Sequence, residues 1–169
     1  MNIPALGTLR PHQTIPKWLT SNPVAVPYFD GLKMVFILKA LKDLDEAEAN
    51  KAIDAFLQRD SKDRSFAGKY VFANYLQTAE FTDEDDLRCQ IESEGDVWKH
   101  VHPSEVFISI RRHDLAVYVQ ITAECDWEPE HGLQIIYRRG CELSRVSSQD
   151  GHLTHTDAYD LPEDQDKIA

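Results

Sequence analysis

The hydrophobic period switches to helical in one central stretch of this chain and back to two after it, and that switch restricts the possible folds more than any other feature. Ala49, Ala52, Ile53, Phe56 and Leu57 recur at i, i+3, i+4, i+7 and i+8, the apolar stripe of one helix face. Asp45, with Glu48 three residues on, has the form of a capping box that starts this helix. A second helix is expected after Asp60-Ser61, with Phe66, Tyr70, Val71, Tyr75 and Ala79 inward. The short join makes the two an antiparallel helical hairpin.

From Leu87 the period is two. Leu87, Cys89 and Ile91 alternate in a short strand, and Val106, Ile108 and Ile110 mark a second over Glu105 to Arg112. After His113-Asp114, the residues Leu115, Val117, Val119, Ile121 and Ala123 give the cleanest alternation in the chain. Gly132 to Arg138 and Cys141 to Ser147 form a last hairpin around Arg139-Gly140. The C-terminal half therefore reads as an antiparallel meander with one face on the helices.

The start of the chain carries Pro4, Pro11, Pro16, Pro23 and Pro27. Proline fixes φ and removes a donor, so this region is expected to be irregular or edge structure, pinned by Trp18 and Leu19. Phe29-Asp30-Gly31 between Val24–Tyr28 and Leu32–Ala40 predicts an N-terminal β-hairpin. The fold class is thus α+β: an N-terminal β-hairpin, a helical hairpin, and a C-terminal meander packed on the helices. At 169 residues the chain suits a single domain over 1–153. Residues 154–169 are polar and acidic and are expected to form a mobile tail.

Charge narrows the partners. With 29 acidic and 18 basic residues the formal net charge is −11. Such a chain repels phosphate backbones, and its basic doublets Arg111-Arg112 and Arg138-Arg139 are too short to make a nucleic-acid face. The longest apolar stretch, Met34 to Leu38, falls far short of the ~20 residues of a membrane span. Cys89, Cys125 and Cys141 form no CxxC pair, and the start lacks the basic and apolar regions of a signal peptide. A reducing cytoplasm is the expected location, with no resident cofactor.

Ligand-capable residues concentrate between Glu124 and Asp157. The run Glu124-Cys125-Asp126-Trp127-Glu128-Pro129-Glu130-His131-Gly132-Leu133 joins two expected strands, and Asp150-Gly151-His152-Leu153-Thr154-His155 follows. One reading is structural: Trp127 anchors a long connection, Pro129 stiffens it, and Gly132 supplies an unusual backbone angle. A second makes Trp127, Glu128, Glu130, His131, Asp150 and His152 the contact surface of a ligand groove, suited to a cationic or peptide-like partner. A third joins His131, Asp150, His152 and His155 around a divalent metal such as zinc, as a metal-dependent hydrolase would. The absence of H-E-x-x-H weakens the third.

Minor constellations also exist. Cys125 with His131 has the composition of a nucleophile pair. His100 and His102 share a face if extended, which suits a metal or, more simply, a cap over the sheet. Thr82-Asp83-Glu84-Asp85-Asp86 reads as a solvated acidic loop, with a cation site as the alternative. The chain contains no G-x-G-x-x-G, no G-x-x-x-x-G-K-[ST] and no G-x-S-x-G.

Taken together, the string Trp127-Glu128-Pro129-Glu130-His131-Gly132-Leu133, then Leu143-Ser144-Arg145-Val146-Ser147 and Asp150-Gly151-His152-Leu153-Thr154, resembles a family of uncharacterised bacterial proteins, a domain of unknown function. The resemblance extends upstream through Phe29-Asp30-Gly31 and Trp98-Lys99-His100-Val101 to nearly the whole chain. It implies a bacterial cytosolic protein and carries no residue role. The leading expectation is a non-enzymatic binding or interaction protein, in one version immunity-like, with an acidic surface set against a basic protein partner.

Overall fold

The computed structural model describes residues 1–39, 42–82 and 89–168. Within them the chain is a mixed α+β protein with an eight-stranded sheet and three α-helices. The strands are β1 (Arg10–Pro11), β2 (Leu19–Thr20), β3 (Val24–Val26), β4 (Leu32–Leu38), β5 (Val101–Ile110), β6 (Val117–Cys125), β7 (Leu133–Arg138) and β8 (Glu142–Ser148). The helices are α1 (Glu46–Leu57), α2 (Arg64–Glu80) and α3 (His155–Tyr159). Asp83 to Asp86 and Leu87, in the acidic loop and the first expected strand, lie outside the described residues, and Cys89 and Ile91 are not in a strand.

Strand order is β1-β2-β4-β5-β6-β7-β8, with β3 paired to β4 beside β2. Neighbouring strands are antiparallel except β4 and β5, which run parallel with Val35 opposite Glu105 and Leu38 opposite Ile108. A parallel pair needs a long crossover, and here α1 and α2 lie within it. Asp30 and Gly31 turn the chain into β4, both with positive φ (55° and 82°).

Alternation along the strands sorts residues by face. Val106, Ile108, Val119, Ile121, Ile135 and Val146 enter the main core with Ala52, Ile53 and Phe56 of α1 and Val71 of α2. Asp45 caps α1 by accepting the Glu48 amide at 2.9 Å. Two residues of the first segment that carried no sequence signal, Ile3 and Leu6, are buried in the same core. Phe66, expected inward, is half-exposed on α2, edge-on to Tyr70. The alternate residues of β6 and β7 are Tyr118, Gln120, Gln134 and Ile136. Tyr118 and Ile136 form a second small cluster, against which Leu153 packs as the chain returns past β8.

The segment after Thr154 folds as α3 and a 3₁₀ turn over Glu163–Gln165. It is held by Arg111, only 5% exposed, whose guanidinium donates to Asp157 and to Glu163, with Nη1 at 2.9 Å from Glu163 Oε2.

Candidate functional site

The β6–β7 connection is built around Trp127. Its indole is 4% exposed, lies edge-on to Tyr75, and donates from Nε1 to Asn74 Oδ1 of α2 at 3.0 Å. The ring therefore ties the loop to the helix from beneath. Above it, Glu128 Oε1 accepts the amides of Glu130 (3.1 Å) and His131 (3.3 Å), a local turn that competes well with strand pairing. Gly132 closes the turn at φ 65°, and a Cβ there would sit 2.6 Å from the Ala123 carbonyl oxygen. Glu130 and His131 point to solvent, with His131 Nδ1 3.6 Å from Glu128 Oε1.

Asp150 belongs to a different arrangement. Arg145 of β8, 3% exposed, meets it with two parallel bonds of 2.7 and 2.6 Å. Gln134 Nε2 and the His152 amide also donate to Asp150 Oδ1, at 2.8 and 3.0 Å. Burial alone would push this carboxyl up; Arg145, the His152 amide and Gln134 together outweigh it and hold Asp150 below the usual carboxylate range. The His152 carbonyl accepts from Arg145 Nη1 at 3.0 Å while its imidazole is exposed. His155 opens α3 and lies against the Tyr159 ring at 4.6 Å.

Two of these residues converge. Glu128 and Asp150 both line a cleft of about 450 Å³ between α2 and β8, with Gln77, Phe81, Ser148 and Tyr159. Phe81 is 82% exposed and Tyr159 63%. Glu130, His131 and His152 line neither this cleft nor its neighbour, to which His155 contributes. Among the described residues no group of three or more His, Cys, Asp or Glu side chains is placed to hold a metal ion, so the His131, Asp150, His152, His155 set does not assemble as a donor shell.

The other constellations resolve in simple ways. His100 Nδ1 and His102 Nε2 each lie 2.8 Å from an oxygen of Asp126, one imidazole per oxygen. Hydrogen bonding to His102, then to His100, holds Asp126 below its ordinary range against the opposing effect of burial. The signal was present in the sequence as His-x-His near the strand that pairs with the one ending before Asp126. Burial pushes the Cys125 thiol up to about 12, which leaves no thiolate for a nucleophile pair with His131. In each basic doublet one arginine is spent internally: Arg111 on the tail, and Arg138 on Asp114 and Glu142. No described helix is long and apolar enough to cross a membrane.

The residues missed by sequence reasoning are Asn74, Gln77 and Phe81 of α2 and its end, and Tyr159 of α3. Asn74, Gln77 and Phe81 lie 47 or more positions before Glu128 and Tyr159 lies 31 after it, and no local pattern links them to the loop.

A family described as "Domain of unknown function (DUF6985)" matches residues 5–153. No curated protein and no solved structure matches the chain.

Proposed function

The chain belongs to the DUF6985 family, a domain of unknown function, and on that premise we propose that it is a binding module for a basic protein segment. The observation that carries the reading is the cleft between α2 and β8, where Phe81 and Tyr159 stand exposed beside the carboxylates of Glu128 and Asp150. Large exposed aromatic rings next to polar groups are the usual anchors of protein recognition. A lysine or arginine of the partner would meet Glu128 while its aliphatic stem covers the rings. The formal charge of −11 adds long-range attraction for a positive partner, in the manner of an immunity protein that blocks a basic one. A cytoplasmic setting accords with the free thiols of Cys89, Cys125 and Cys141.

The test is a ¹H–¹⁵N titration of the full chain with a capped peptide of alternating lysine and leucine, run beside its glutamate–leucine counterpart. Saturable shifts confined to Gln77, Phe81, Glu128, Ser148 and Tyr159, abolished in Phe81→Ser/Tyr159→Ser, are expected from the basic peptide alone. Shifts spread evenly over the acidic surface, or equal response to both peptides, would overturn the reading.

A further inference from the structure

Beside the carboxylate-lined cleft, and sharing Asn74, Gln77, Arg145, Ser147 and Tyr159 with it, lies a second cavity of about 510 Å³. Its walls come from α2 (Tyr70, Asn74, Gln77), β8 (Arg145, Val146, Ser147) and the C-terminal segment (His155, Tyr159, Lys167, Ile168). None of its lining residues is an aspartate or glutamate, although the chain carries 29 of them. Arginine, lysine and histidine are all present instead.

Two of the lining residues each hold a buried polar atom with no hydrogen-bond partner among the described residues: Arg145 Nε and His155 Nδ1. Arg145 is 97% buried by its 3% exposure, and its Nη1 and Nη2 are already engaged by Asp150 and the His152 carbonyl. An arginine has five N–H donors in a rigid fork, so the unpaired Nε–H is a donor held in place with nothing to receive it. Buried donors in folded proteins are nearly always satisfied, and an orphan in a cavity wall marks a place for an acceptor. Lys167, exposed at the same cavity, makes no ion pair among the described residues. The rest of the lining supplies apolar and aromatic surface from Tyr70, Tyr159, Val146 and Ile168.

We infer that this cavity binds a small organic anion, a carboxylate or a phosphate monoester carried on an aromatic or aliphatic body. The charged end is received by Arg145 Nε, Lys167 and His155, and the body lies against the two tyrosines, Val146 and Ile168. The volume falls within the range of small-molecule sites. Burial, then the nearby charges of Lys167 and Arg145, hold His155 below its ordinary imidazole value, with Asp166 opposing them. An anion bound beside the ring would reverse that and raise it. The inference is separable from the basic-partner reading: the two cavities share Arg145 and Tyr159, but Glu128 lines only the first and Lys167 only the second, so each has its own diagnostic substitution.

The experiment uses the full chain with three probes of one shape: phenyl phosphate, benzoate and neutral benzamide, each followed by ¹H–¹⁵N shifts and by the His155 ring titration. Saturable shifts at Tyr70, Gln77, Val146 and Ser147 are expected with at least one anion, and the preferred anion separates phosphate from carboxylate chemistry. The same anion should raise the His155 midpoint. Lys167→Glu should weaken binding at least tenfold, with Lys167→Gln intermediate; Lys167 is exposed, and the spectrum of each free variant verifies its fold. Glu128→Gln should leave anion binding unchanged while weakening the lysine–leucine peptide. Absence of saturable shifts from both anions, equal binding of benzamide, or an affinity indifferent to Lys167→Glu would overturn the assignment.

Discussion

Arg111 and Asp157 are joined by two parallel hydrogen bonds, Nε to Oδ2 at 2.8 Å and Nη2 to Oδ1 at 2.7 Å, across 46 residues of chain. The same guanidinium also holds Glu163. One buried cation thus fastens the segment from α3 to the 3₁₀ turn, which lies beyond the residues matched by the family.

Acid should undo this fastening before it undoes the sheet. Hydrogen bonding to Arg111 is the chief reason that both Asp157 and Glu163 are held below their ordinary carboxyl values. Each titrates lower in the folded state than in the unfolded one. The contribution is therefore complete above the ordinary carboxyl range and is lost as pH falls through the lowered folded-state values. Hydrogen exchange across that window should show amides of 155–165 losing protection at higher pH than those of β6. Simultaneous loss in both regions would contradict the latch.

Gly140 has no tolerable replacement. It sits at φ 73° in the β7–β8 turn, and a Cβ there would lie 1.9 Å from the Ala52 carbonyl oxygen of α1. Gly140→Ala combines left-handed strain with a backbone clash, a cost of at least about 2 kcal/mol. Urea denaturation should show it as a lower midpoint with unchanged slope; a midpoint equal to that of the parent chain would mean that α1 can move away.

Trp127 is expected to act through stability. Trp127→Ala removes a buried ring and its bond to Asn74, a loss of about 3–5 kcal/mol. Trp127→Phe keeps most of the area and gives up the hydrogen bond, a loss nearer 1–2 kcal/mol. Calorimetric melts of both variants check the order, and a larger effect from the phenylalanine variant would show that the bond outweighs the packing.

Thiol reactivity should rank by exposure. Cys141 is exposed, Cys89 intermediate and Cys125 buried, and burial is the largest cause raising both of the latter thiols. Iodoacetamide labelling followed by mass spectrometry should modify Cys141 first and Cys125 only on unfolding. Early modification of Cys125 in the folded chain would reopen a role for its thiolate.

Much of the local structure is legible in the sequence because periodicity reports directly on one buried face. The stripe from Ala49 to Leu57 gives α1, and the alternation from Val117 to Ala123 gives β6. Leu115, read into the same alternation, is instead exposed in the turn at φ 54°. Periodicity names a face but not a neighbour, which is why the parallel β4–β5 pair left no trace. The same limit applies to the site. Glu128 and Asp150 were visible as a dense polar region, whereas the walls that make a cleft of them come from α2 and α3. Arg111 read as half of a basic doublet, because a clamp on residues 46 and 52 positions away has no local signature.

The parallel pairing of β4 with β5 also sets a timetable. Val35 and its partner Glu105 are 70 residues apart, and between them lie both long helices. At the 5–20 residues per second of ribosomal synthesis, the inner edge of β4 emerges roughly 4–14 s before the strand that will cover it. Through that interval its Met34, Phe36 and Leu38 side chains, all buried in the finished core, have only the first segment and the growing helices for shelter. The nascent chain must carry an open, apolar strand edge for seconds, which makes translation rate and chaperone access, more than final stability, the quantities that decide its yield.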